Sequence, residues 1–136
     1  MIGRILAATD FSGRSEAALA RAASLARLAG ARLVLLHVVD EDAPADIVRQ
    51  RVAVAESGLG RARDHLGDVD AETRVVTGDP FAAIAAAAGE LGADLVVAGD
   101  HRRSLLRTLF LDTTVERLVR VATLPVLIAR GPATTP

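Results

Sequence analysis

The residues best suited to chemistry lie between Asp94 and Thr114, in the run Asp-Leu-Val-Val-Ala-Gly-Asp-His-Arg-Arg-Ser-Leu-Leu-Arg-Thr-Leu-Phe-Leu-Asp-Thr-Thr. Leu95-Val96-Val97-Ala98 is a buried-strand signal that breaks at Gly99. A loop with Arg102, Arg103 and Arg107 follows, and Thr113 with Glu116 forms a Thr-x-x-Glu capping box that starts a helix. Strand, glycine, polar loop and new helix make a frame for an anion or nucleotide in an open α/β sheet. The loop itself is not glycine-rich. Without any lysine in the chain, a P-loop lysine and a Schiff-base lysine are both excluded.

Other chemistries find little support. There are no cysteines, so disulfides and thiolate metal sites are excluded. His37, His65 and His101 share no metal-ligand spacing. No Gly-x-Ser-x-Gly elbow is present, and no pair of carboxylates has a sequence reason to meet. An enzyme reading would rest on slow ATP hydrolysis alone. With no Trp or Tyr and three Phe, the chain lacks a stacking platform for single-stranded nucleic acid. A net charge of −1 supplies no field to attract DNA or anionic lipid.

The elements that must position the loop follow from the apolar pattern. The chain has 136 residues, enough for one self-sufficient domain, expected over residues 1–130 with a flexible tail over 131–136. Ile2 to Thr9 reads as a buried strand, and Asp10-Phe11-Ser12-Gly13 as a turn with Ser12 as N-cap. Leu19, Ala22, Ala23 and Ala26 form one helical face, closed by Gly30. Arg32 to Val39 is a strand covered on both faces. Pro44 precedes a long helix, Ala45 to Leu66, in which Gly58 and Gly60 are weak points.

A third strand, Glu72 to Thr77, leads to Asp79 as N-cap and Pro80 at the first helical position. Phe81, Ile84, Ala85 and Ala88 are expected to form the buried face of that helix, which Gly92 closes. Asp94 marks the turn into the fourth strand, and Pro125 to Ala129 forms the last. The alternation predicts a parallel sheet with helices on both faces. Ligands in such sheets sit beyond the carboxyl ends of the strands, here at Asp10, His37, Val38, Gly78 and the Gly99 loop. No apolar run approaches ~18 residues, so no membrane span is expected. The short apolar run at Met1 to Leu6 enters the first strand directly, which predicts a cytoplasmic chain without a signal peptide.

These residues together resemble the universal stress protein family over nearly the whole chain. The marks are Ala8-Thr-Asp-Phe-Ser12, Leu36-His-Val38, Gly78-Asp-Pro80 and Leu95-Val-Val-Ala-Gly-Asp-His101, followed by Arg103-Ser104, Thr113, Val115, Glu116 and Leu124-Pro-Val-Leu-Ile128. The resemblance implies an open five-stranded, Rossmann-like sheet of the adenine-nucleotide alpha-hydrolase kind, with the first and fourth strands adjacent. It also implies a homodimer, often made by pairing last strands, here Val126 to Ala129. ATP or AMP with Mg is the implied ligand of the nucleotide-binding members. Their contacts would map to Asp10, Val38, Gly99, His101, Arg103, Ser104 and Thr113.

Nucleotide-binding members of the family carry Gly, two residues, Gly, nine residues, Gly, then Ser or Thr. Here Gly99 and Thr113 match, but Arg102 and Asp112 occupy the second and third glycine positions, and Leu105 replaces another loop glycine. Two readings follow: a regulatory or interaction protein without the usual ATP loop, and a nucleotide-binding regulator using the crevice between the first and fourth strands. Single residues keep two readings as well. Asp10 suits a ligand contact or a turn, Thr113 a phosphate contact or a helix cap, and His37 a crevice wall or a packed, hydrogen-bonded strand end.

Overall fold

The computed structural model describes residues 2–99 and 125–129. Five strands and three helices are defined there: β1 (Arg4–Ala8), α1 (Gly13–Ala29), β2 (Arg32–Val39), α2 (Ala45–Leu66), β3 (Ala71–Thr77), α3 (Pro80–Leu91), β4 (Leu95–Gly99) and β5 (Val126–Ala129). The strands form one sheet in the order β3-β2-β1-β4-β5, all pairs parallel. The expected α/β architecture, with first and fourth strands adjacent, is therefore the one observed.

Parallel strands need crossover connections, and the side taken by each helix follows from the direction of travel across the sheet. The chain moves outward from β1 to β2 and β3, with α1 and α2 covering one face. The core there combines Ile5, Ala7, Leu33 and Leu35 with Leu19, Ala22, Ala23 and Ala26 of α1 and Leu59 of α2. After β3 the direction reverses, and α3 covers the opposite face. Ile84, Ala87 and Ala88 pack there on Leu6, Val34, Leu36 and Val96. Burying one such leucine contributes roughly 1.5–3 kcal/mol.

Helix ends are set by the residues that read as caps. Ser12 is the N-cap of α1, and its side chain accepts from the Ser15 amide. Asp79 caps α3 by accepting from the Ala82 amide, with Pro80 in the first turn. Gly30 and Gly92 end α1 and α3 with φ of 65° and 61°, the left-handed conformation in which a Cβ is costly. Pro44 stands just before α2 and offers no side-chain cap.

One expectation is corrected: Ala85 is exposed and Ala87 takes its place on the buried face of α3. The long helix from Ala45 to Leu66 is the one observed, running through Gly58 and Gly60 over 22 residues. The capping box at Thr113 and Glu116 lies outside the described residues.

Asp94 does more than mark a turn. Its Oδ2 accepts from the amides of Gly3 at 2.8 Å and Arg4 at 3.0 Å, tying the entry of β4 to the entry of β1. These two donors, Gly3 first and then Arg4, hold the Asp94 carboxyl below its ordinary 3.8. A depressed native pKa adds stability above the unfolded value and loses it as pH falls through the native one. Asp94→Ala should therefore lower the thermal midpoint at neutral pH. It should also flatten the decline that the parent chain shows as pH drops from just above 3.8 downward. Parallel midpoint–pH curves for the two proteins would remove Asp94 from the acid transition.

Candidate functional site

Sheet order places the reversal of chain direction between β1 and β4, whose register pairs Ala7 with Val97. The open crevice of such a sheet lies beyond the carboxyl ends of the two strands at that reversal. Asp10 stands just past the end of β1, and Gly99 is the last residue of β4. Val38 stands near the end of β2, on the other side of β1. Three of the predicted site residues thus come to one end of three neighbouring strands. His101, Arg103, Ser104 and Thr113 lie outside the described residues, as do Arg102 and Asp112.

The turn that carries Asp10 is built from side-chain acceptors. Asp10 Oδ1 accepts from the Ser12 amide at 2.9 Å, and the hydroxyl of Ser15 also donates to it. The Ser15 hydroxyl lies 2.9 Å from that of Ser12 and accepts from the Asp10 amide at 3.2 Å. Thr9 Oγ1 accepts from the Phe11 amide at 3.0 Å. Asp10 is thereby the turn former that its position suggests. A ligand reaching it would meet a group already fixed in place.

Sequence reasoning missed Ser15, a buried hydroxyl that orients Asp10. Its signal was the run Asp10-x-Ser12-x-x-Ser15, a cap followed by a second hydroxyl in the first turn. It also missed Phe11, which has φ of 65°. That conformation is uncommon for a bulky side chain and costs on the order of 1–3 kcal/mol. The ring lies 4.5 Å, centroid to centroid, from the ring of His37. His37 in turn donates from Nδ1 to the Thr9 carbonyl at 2.8 Å, joining the end of β2 to the end of β1. It is the packed, hydrogen-bonded strand end that was one of its two readings.

The same ring explains a glycine. A Cβ on Gly58 would lie 3.0 Å from Cε1 and 3.1 Å from Cζ of Phe11, so the ring would have to shift to admit one. Gly60 has open space around it.

An open, fully parallel α/β sheet with its crevice at the β1–β4 reversal defines a Rossmann-like protein. Within that class, the chain belongs to the universal stress protein family, which matches it over residues 1–130. A universal stress protein from Thermus aquaticus, encoded in the QAH/OAS sulfhydrylase 3′ region, is 30% identical over 137 residues, covering 96% of this chain and 100% of the relative. Universal stress protein MJ0577 of Methanocaldococcus jannaschii is 23% identical over 155 residues, 96% of each chain. The solved structure of MJ0577 matches with a TM-score of 0.84 at 25% identity over 98% of this chain and 99% of that one. A universal stress protein solved in complex with cAMP matches at a TM-score of 0.80 and 24% identity, over 96% and 99% of the two chains.

The Phe11–Gly58 contact is open to a double-mutant test. Alanine for glycine inside a helix normally stabilises by roughly 0.5–1 kcal/mol. Gly60→Ala should give that gain in both the parent chain and Phe11→Ala. Gly58→Ala should give it only in Phe11→Ala, because in the parent chain the ring must first move. Equal gains from Gly58→Ala in the two backgrounds, read by urea unfolding, would dismiss the contact.

Proposed function

We propose that this chain is a cytoplasmic, homodimeric regulator of the universal stress type that acts through its surfaces and lacks the usual ATP-binding loop. The observation that carries this reading is the pair Arg102 and Asp112, where nucleotide-binding members have glycines. Glycine lets backbone N–H groups approach phosphate closely and permits positive φ. Arg102 adds bulk where that approach is made. Asp112 adds a carboxylate where terminal phosphates would lie, and like charges at short range repel. No efficient catalysis is assigned to the chain.

The homodimer is supported by the sheet order. Among the described residues β5 is an edge strand, and Ile128 on it is 41% exposed. An apolar edge with unpaired backbone groups is a template for pairing with another strand. Ile128→Arg should shift the species seen by sedimentation equilibrium from dimer to monomer. An unchanged dimer would move the interface away from β5.

A second reading has its own support. The adjacency of β1 and β4 puts Asp10 and Gly99 at one crevice, and one similar structure is a cAMP complex. In that reading Asp10, Val38, Gly99, His101, Arg103, Ser104 and Thr113 surround ATP or AMP, and the loop arginines offset phosphate charge. Titration calorimetry with Mg-ATP, together with a search for nucleotide released from denatured protein, separates the two. The first reading expects neither heat nor nucleotide. Micromolar binding in the parent chain, strengthened by Arg102→Gly with Asp112→Gly, would establish the second.

A further inference from the structure

An open pocket of about 380 Å³ lies at the carboxyl end of β2, beside the first half of α2. That volume falls within the ~300–1,000 Å³ of small-molecule sites. Phe11, His37 and Val54 supply its apolar walls, and Asp40, Gln50 and Arg51 its polar groups. The pocket shares Val38 with the residues gathered at the strand ends, but its polar groups, Asp40, Gln50 and Arg51, come from just past the end of β2 and from α2. Leu33 and Leu35 of β2 face α1 and α2, whereas Leu36 and Val38 pack with α3, so the pleat sends His37 toward the α2 side.

Two features distinguish it from a chance hollow. Phe11 and Val54, 41% and 65% exposed, are large apolar groups open to water on one pocket. The Phe11 ring is held there by a strained backbone, the His37 ring and the absent Cβ of Gly58, rather than folded into the core. The polar groups are also uncommitted. Arg51 makes no ion pair or hydrogen bond among the described residues. Asp40 uses Oδ1 on the Asp42 amide at 2.9 Å and keeps its second oxygen. His37 donates from Nδ1 to a carbonyl, so the neutral ring presents Nε2 as an acceptor.

We propose that this pocket binds a small aromatic zwitterion of the aromatic amino acid class. The ligand ring lies between Phe11 and Val54. Its carboxylate meets the Arg51 guanidinium, whose fork matches that group. Its ammonium meets the Asp40 carboxylate and His37 Nε2. One cation, one anion and one neutral acceptor around an aromatic wall complement a zwitterion better than a polyanion.

The chain contains no Trp or Tyr, so indole fluorescence in a mixture comes from the ligand alone. The test is the fluorescence anisotropy of L-tryptophan titrated with the full chain. A saturable rise that persists in Mg-ATP is expected. Tryptamine and indole-3-propionate, each lacking one charge, should bind about ten-fold more weakly, as the loss of one charge-assisted contact implies. Arg51→Gln and Asp40→Asn should each weaken L-tryptophan by a similar factor without moving the thermal midpoint, since Asn keeps an acceptor for the Asp42 amide. The proposal is overturned by an absence of saturation at about 10 mM protein sites or ligand, by equal binding of the three compounds, by binding unaffected in the two variants, or by displacement with Mg-ATP.

Discussion

β1 is hydrogen-bonded along both edges, to β2 and β4, and covered on both faces by helices. Ile5, Leu6 and Ala7 are at most 1% exposed. A strand enclosed in this way can leave the core only at its carboxyl end, and its backbone groups must find partners as it emerges. The Thr9 amide donates to the Leu36 carbonyl at 2.9 Å, and the Thr9 carbonyl accepts from His37. The next two amides are taken by side chains, Phe11 by Thr9 and Ser12 by Asp10. The cost of this exit is the left-handed backbone at Phe11. The crevice, the start of α1 and the aromatic pair all take their positions from this turn.

Helix composition suits the enclosure. The buried face of α1 is mainly alanine, at Ala18, Ala22, Ala23 and Ala26, while the large side chains stand on the strands. Small residues on the helix let it sit close to a sheet whose leucines and valines fill the intervening space at normal interior density. α1 thereby spans several strands at once: its alanines share a cluster with Ile5 and Ala7 of β1, Leu95 and Val97 of β4 and Ala129 of β5. Gly58 extends the same logic to α2, where a missing side chain admits the Phe11 ring.

How far this arrangement could be read from residues alone depended on the range of each interaction. Caps at Ser12, Asp79, Gly30 and Gly92 were legible because each is a local fit of side chain or φ to a helix end. The sheet order was legible only through the family resemblance, since parallel pairing leaves no local mark. The face of α3 was misread at Ala85 because a helix of near-continuous alanine carries no periodic signal. The bond of Asp94 to the Gly3 amide joins residues 91 apart, and nothing at either end announces it. Phe11 and Gly58 likewise explain one another only once α2 is folded back on the sheet. Of the site, the strand ends at Asp10, Val38 and Gly99 were legible as a frame; the locking of Asp10 by Ser15 was not.

The retained and altered parts of that frame sort by what folding requires. Asp10, Ser12 and Ser15 serve the exit of β1 and the start of α1, whatever binds beyond them. Gly99 ends a strand paired in register with Ala129. Selection for stability alone would keep these residues. Glycines at positions 102 and 112 would answer chiefly to a ligand, because an unliganded loop gains nothing from backbone freedom and loses conformational entropy by it. Those are the positions where this chain carries Arg102 and Asp112. Under the proposed reading, the chain keeps the residues that its own folding requires and differs at those that a phosphate would need.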